Sequence, residues 1–248
     1  MRWIKAAGVV LWCWWLLSGL AYADITSNLQ GYWKFNESSG TTADASGNGN
    51  TGTLGGTAAY GAGKYGNGIV FTGSSTNAVS YGTGASLDIT GTAITLAAWV
   101  AVSGLSSLSN YHAIFSRDSG AYAYRWFVTD NRDKMLFQAA NGGISVETTS
   151  FTALTLGTFY HLAVVYNGTN VLFYVNASLV YTGNATASLT SQPTYAAQSG
   201  KTGASNYGMN GKLDSLHVYN RALSASDITE LFNDTEVSTQ VRRRPIIY

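Results

Sequence analysis

Ile94-Thr95-Leu96-Ala97-Ala98-Trp99-Val100 is the stretch that decides the fold class. A short, uncharged run with branched and aromatic residues reads as a buried strand. With period two, Ile94, Leu96, Ala98 and Val100 share one face, and Thr95, Ala97 and Trp99 share the other. Toward the C-terminus, strands are expected at 113–116, 122–129, 134–139 and 144–149, with Asp130-Asn131-Arg132-Asp133 as the turn between the second and third. Two more, 159–166 and 170–175, flank Asn167-Gly168-Thr169, a hairpin signal. Asn176-Ala177-Ser178 turns the chain into 179–182, and 195–200 and 211–219 complete the series. Toward the N-terminus lie short strands at 78–81 and 69–71. Residues 36–68 are glycine-dense and read as a long ordered loop with one short strand at 52–54; a loop of that length needs ties of its own. At 28–35, Leu29, Gly31, Trp33 and Phe35 alternate with polar neighbours, the pattern of a half-buried strand. One helix is expected after Ser224, which forms a capping box with Asp227. Ile228, Leu231 and Phe232 share its face, and Asn233 or Asp234 ends it. Many short strands, regular turns and one late, short C-terminal helix specify an all-β fold, a two-sheet antiparallel sandwich of jelly-roll type.

The bulk composition restricts function. Met1 to Ala23 has the form of a secretory signal: Arg2 and Lys5, then an uncharged apolar run, then Ala21-Tyr22-Ala23 before Asp24. The competing reading is an uncleaved anchor, although the run is short for a span of about 20 residues. The organisation expected is a signal at 1–23, one domain at 24–234 and a tail at 235–248. The tail is basic and then apolar, and reads as a frayed end, a short added strand or a contact for a partner. Cleavage removes Cys13, the only cysteine, and with it any disulfide or thiol chemistry. It leaves 12 basic against 13 acidic residues, so no charge imbalance points to nucleic acid or an anionic membrane. The expected location is secreted, extracellular or in the cell envelope, with no membrane insertion after cleavage. Asn36, Asn167, Asn176, Asn184 and Asn233 each begin an Asn-x-Ser/Thr sequon, which matters only in a eukaryotic secretory route.

Four segments, in order, resemble the laminin-G-like members of the concanavalin A-like lectin/glucanase superfamily. They are Gly31-Tyr32-Trp33-Lys34-Phe35-Asn36-Glu37 with Asp44-Ala45-Ser46-Gly47-Asn48-Gly49-Asn50-Thr51-Gly52; Ala97-Ala98-Trp99-Val100; residues 156–166 with Phe173-Tyr174-Val175-Asn176; and residues 211–224. The resemblance spans roughly Ile25 to Phe232. It implies an antiparallel jelly roll, a calcium ion near the chain ends, and a module binding glycans or proteins; other members are glucanases. Ser215 departs from the pattern, because an acidic residue commonly follows Asp214 there.

The expected ion is a structural Ca2+ held by Asp44, Asn48, Asn50 and Asp214, clamping the first strand to the last. Calcium takes six to eight oxygens, and the glycines allow carbonyls to turn inward. The alternative is an Asx-rich turn in which Asp44 accepts from neighbouring amides. An EF-hand is excluded, since its twelfth position is Gly55 rather than Glu and no helices flank it. Catalysis finds little support. Glycoside hydrolysis needs two carboxylates at a set separation, and Glu37, Glu147, Glu230 and Glu236 are scattered. His112, His161 and His217 do not cluster at ligand spacing. Sugar sites pair an aromatic platform with polar side chains. The candidates are Tyr111, Arg117, Tyr124, Arg125, Trp126 and Tyr195; the competing reading places these aromatics in the core. The function expected is a non-catalytic, exported module whose partner is a glycan or glycosylated surface. A protein-interaction module of the same fold and a glycoside hydrolase are the alternatives.

Overall fold

The computed structural model describes residues 24–106, 110–203 and 207–234; the expected signal at 1–23 and tail at 235–248 lie outside them. The strands are β1 (Leu29–Trp33), β2 (Thr53–Gly55), β3 (Ala59–Ala62), β4 (Asn67–Thr72), β5 (Ala78–Gly82), β6 (Ile94–Val102), β7 (Tyr111–Ser119) and β8 (Ala121–Thr129). They continue as β9 (Met135–Ala139), β10 (Ile144–Glu147), β11 (Tyr160–Tyr166), β12 (Asn170–Val175), β13 (Ser178–Asn184), β14 (Ala197–Ser199) and β15 (Asn210–Tyr219), followed by helix α1 (Ala225–Asn233). They form two antiparallel sheets packed as a sandwich. One has eight strands, ordered β13-β12-β11-β6-β15-β4-β3, with β1 also paired to β15. The other has seven, ordered β10-β9-β8-β7-β14-β5-β2.

The expected strand at 94–100 is the centre of the larger sheet and is buried along its whole length. Ile94, Leu96, Ala98, Val100 and Val102 point between the sheets, where they meet Trp33, Phe115, Tyr124, Trp126, Phe137 and Phe173. Ala97 faces the other way, into a second cluster with Val165, Tyr174 and Tyr219 that is covered by Leu223, Ile228 and Leu231. The helix therefore lies on the outside of the eight-stranded sheet, and its amphipathic face removes that surface from water. Its start is as read from sequence: Ser224 Oγ accepts from Asp227 N at 3.2 Å, and Ser224 N donates to Asp227 Oδ2 at 2.9 Å.

The glycine-dense stretch holds one strand more than its pattern suggests. β3, Ala59-Tyr60-Gly61-Ala62, has no apolar alternation and sits at a sheet edge, formed by its pairing with β4. First and last strands are neighbours: Tyr32 pairs with His217 and Trp33 with Leu216. The second edge of β15 is shared, with β4 beside 210–213 and β1 beside 216–219. At the handover the register slips between Asp214 and His217, and Ser215 takes φ +46°.

Candidate functional site

Side chains of the seven-stranded sheet alternate between the core and its outer face. Trp126 pairs with Phe137 and Phe115, all core residues. One residue to either side, the same strands present two rows outward. The first runs Ser145, Gln138, Arg125, Ser116 across β10, β9, β8 and β7; the second runs Glu147, Leu136, Phe127, Ala113.

The first row is a polar ladder. Arg125 Nε donates to Gln138 Oε1 at 2.8 Å, and Gln138 Nε2 donates to Ser145 Oγ at 3.1 Å. The Arg125 guanidinium lies 3.9 Å from the Tyr122 ring centroid and 3.7 Å from Asp118 Oδ2. Burial raises the Asp118 carboxyl above its ordinary pKa, against a hydrogen bond from Gly203 N and the Arg125 charge. Beyond Glu147 at its end the second row is apolar, and Tyr111 and Tyr207 pack over Leu136, Phe127 and Ala113. The Tyr111 and Tyr207 rings meet edge-on at 5.9 Å, and each approaches Phe127, at 5.8 and 5.1 Å. Tyr111 reaches across the sheet to donate its hydroxyl to Glu147 Oε2 at 2.8 Å, while Lys134 Nζ stands 3.1 Å from Glu147 Oε1. Burial, then the bond and charge of Glu147, push the Tyr111 hydroxyl up to about 12. Beside these groups opens a groove of about 500 Å³, lined by Asn110, Tyr111, Thr129, Asp130, Asn131, Asp133, Lys134, Glu147 and Ser150. Buried His112 stands behind one lining residue, Asp130: Asn210 N donates to its Nδ1, so Nε2 carries the hydrogen and faces Asp130 Oδ1 at 3.1 Å.

Of the six residues expected at a ligand site, this face brings together Tyr111 and Arg125. Tyr124 and Trp126 are fully buried and turn inward, the Tyr124 hydroxyl donating to Leu87 O at 2.6 Å. Neither offers a ring to solvent, because strand parity sends 124 and 126 to the face opposite 125. Arg117 is also fully buried, with Nε 3.5 Å from Asp88 Oδ1 and 3.3 Å from Gln192 O. Tyr195 is half-buried in the segment before β14, where its N–H donates to Gln192 O. Phe127, Leu136, Gln138, Glu147, Lys134 and Tyr207 were missed. Counting by twos from Arg125 finds Phe127; the remainder need the register across the turn at 130–133, and Tyr207 arrives from a distant loop.

The four residues expected to hold calcium divide into two groups. Asp44 Oδ1 accepts from Tyr32 N and Ser46 N at 3.1 and 2.9 Å, and Oδ2 accepts from Asn50 N and Nδ2 at 2.9 and 3.1 Å. Asn48 Nδ2 donates to Leu29 O, and Asn50 Nδ2 also to Gln30 O, both at 2.9 Å. These bonds satisfy the edge of β1 that faces away from β15. They hold the Asp44 carboxyl below its ordinary pKa even though burial pushes it upward. Asp214 is engaged elsewhere. Its Oδ2 accepts from Lys64 N and Tyr65 N at 2.7 and 2.9 Å, and its Oδ1 from Ser215 N at 2.7 Å. Four N–H donors occupy the acceptor directions of Asp44, and the two asparagines face the carboxylate and carbonyls with nitrogen. Such a donor set does not fit a cation, and among the described residues no three His, Cys, Asp or Glu side chains gather as a metal site would.

Two antiparallel sheets packed face to face, one with rows of polar and aromatic side chains on its outer face, make a β-sandwich of jelly-roll type. Within it, residues 72–229 match Laminin_G_3 of the concanavalin A-like lectin/glucanases superfamily, and the chain belongs to that family. No curated protein sequence matches it. Among solved structures it is similar to domain 4 of AbnA, a GH43 extracellular arabinanase from Geobacillus stearothermophilus, in complex with arabinotriose: TM-score 0.64, 20% identity, covering 82% of this chain and 98% of that one. It is also similar to the binding domain of Paraclostridial Mosquitocidal Protein 1, with TM-score 0.70 and 15% identity over 85% of this chain and 53% of that one. A third is the binding domain of Botulinum Neurotoxin DC in complex with SialylT, with TM-score 0.57 and 14% identity over 85% of this chain and 52% of that one. The chain thus spans about half of each toxin binding domain. At these identities the likeness shows a shared fold.

Proposed function

We propose that this chain is an exported, non-catalytic carbohydrate-binding module, and that the outer face of the seven-stranded sheet holds the glycan. The observation that carries the reading is the pairing of the two rows: tyrosines over an apolar strip, beside a hydrogen-bonded ladder with Arg125 at its centre. Sugar rings have an apolar face and a polar rim, and an aromatic platform flanked by fixed donors and acceptors matches both. The fold relatives seen with arabinotriose and SialylT support a glycan as the ligand class. Strand order keeps Asp118 and Glu147 from acting as a glycosidase pair. Asp118, whose carboxyl is raised, lies on β7 and Glu147 on β10, three strand spacings apart, or roughly 14 Å across the sheet. Glycosidase carboxylates stand about 5–9.5 Å apart.

A glycan array followed by calorimetry on the best binder tests this. Tyr111→Ala and Arg125→Ala should each weaken binding at least about tenfold. Leu179→Ser, on exposed β13 of the other sheet, should leave it unchanged. An array with no binder, or variants that bind like the parent, rejects the assignment.

A further inference from the structure

The outer face of the eight-stranded sheet carries two buried histidines. His161 on β11 pairs with Trp99 on β6, and His217 on β15 pairs with Ala97 of the same strand. His217 stacks on Tyr32 at 4.0 Å, and its Nδ1 lies 3.0 Å from Ser215 O, so that nitrogen carries the hydrogen. His161 sits between Trp99 at 5.4 Å and Phe232 of α1 at 6.0 Å, and its Nδ1 has no hydrogen-bond partner. Both rings border one small cavity of about 10 Å³, which Leu231 and Asp234 of the helical segment also line. We propose that this pair makes α1 an acid-released cover: when both imidazoles gain a proton, the helix leaves the sheet while the core between the sheets stays folded.

The groups facing the pair do not compensate two positive charges. Lys34 raises the cost at His217, and Lys64 lies 4.3 Å over Trp99. Tyr32 and Tyr219 present rings. The Asp214 carboxylate is engaged by amides, and with Asp234 bordering the cavity both rings still rest below their ordinary pKa. Burial, with the neighbouring histidine, lowers His161 to about 3; burial, with Lys34 opposing the Ser215 bond, lowers His217 to about 4. Detachment returns each ring to water and to its ordinary 6.5. The gain is separable because α1 packs on its own cluster, outside the inter-sheet core.

Hydrogen exchange of the full chain between pH 7.5 and 4.5, corrected for intrinsic rates, tests it. A depressed folded pKa makes stability fall as pH drops below 6.5, so helix opening should rise about 100-fold per histidine at pH 4.5. Amides of residues 228–234 should lose protection while those of β8 and β9 keep it, reversibly at neutral pH. His161→Gln with His217→Gln should abolish the response; if that variant does not fold, the parental profile alone decides. Helix protection unchanged with pH, or helix and core lost together, overturns the proposal.

Discussion

Replacing Asp44 by alanine tests whether the 44–50 loop works as a hydrogen-bond clamp. The change strips one carboxylate from four N–H donors. Two are readily re-satisfied: Ser46 N lies in a part-exposed turn, and Asn50 Nδ2 keeps Gln30 O. Two are not. Tyr32 N loses its side-chain acceptor at the edge of β1, and Asn50, 4% exposed, is left with an unpaired N–H. A buried donor without a partner costs about 1–3 kcal/mol, so two of them put the expected loss at about 2–6 kcal/mol. For a domain of this size that lowers Tm by roughly 4–24 °C. Asp44→Asn keeps one acceptor oxygen and should fall between. The carboxyl is held below its ordinary pKa, so its contribution is present above the unfolded value of 3.8 and is lost as pH falls through the folded one. Urea titrations and calorimetry, each with and without EDTA, measure all of this. If the amide bonds to Asp44 do the clamping, chelation should leave the parental Tm unmoved. A parental Tm that falls on chelation, with Asp44→Ala insensitive to it, refutes the clamp and restores the ion. An Asp44→Ala loss below about 0.5 kcal/mol, the range of an ordinary surface change, also refutes the clamp.

Three further outcomes follow from the same contacts. Trp126→Ala empties the centre of the core and should cost about 3–5 kcal/mol by urea denaturation, whereas a residue with its ring in a sugar site would lose binding with little stability. Gly203→Ala would drive its Cβ into Asp118 O, so it should cost about 1–3 kcal/mol and, by shifting the Asp118 and Arg125 end of the ladder, weaken glycan affinity in calorimetry. Asp214→Ala frees the N–H groups of Lys64, Tyr65 and Ser215 where β15 passes from β4 to β1, and should accelerate amide exchange at 64–65 more than in β8 or β9.

Strand parity and capping chemistry are local, and both could be read from the chain. The 94–100 run, the hairpin at 167–169 and the Ser224–Asp227 box are decided by residues within a few positions of one another. Their placement in the structure follows those readings. Arg125 and Trp126 were both named at a site, yet neighbours on a strand must face opposite ways, and only the packing of the second sheet says which is wet. Glu147 joins Tyr111 from 36 positions away in the chain, and Tyr207 crosses from the segment before β15. No local pattern encodes either approach. β3 was unreadable for the same reason: its strand state comes from hydrogen bonds to β4, with no apolar period of its own.

The sequence by itself determined the fold class, the central strand and the oxygen-rich loop, because these rest on periodicity and on side-chain chemistry at fixed spacing. Tertiary structure alone decided which way each face points and what each carboxylate meets. Asp44 offers the same two oxygens to a cation as to an amide. The choice lies with the N–H groups that the fold of β1 brings to it.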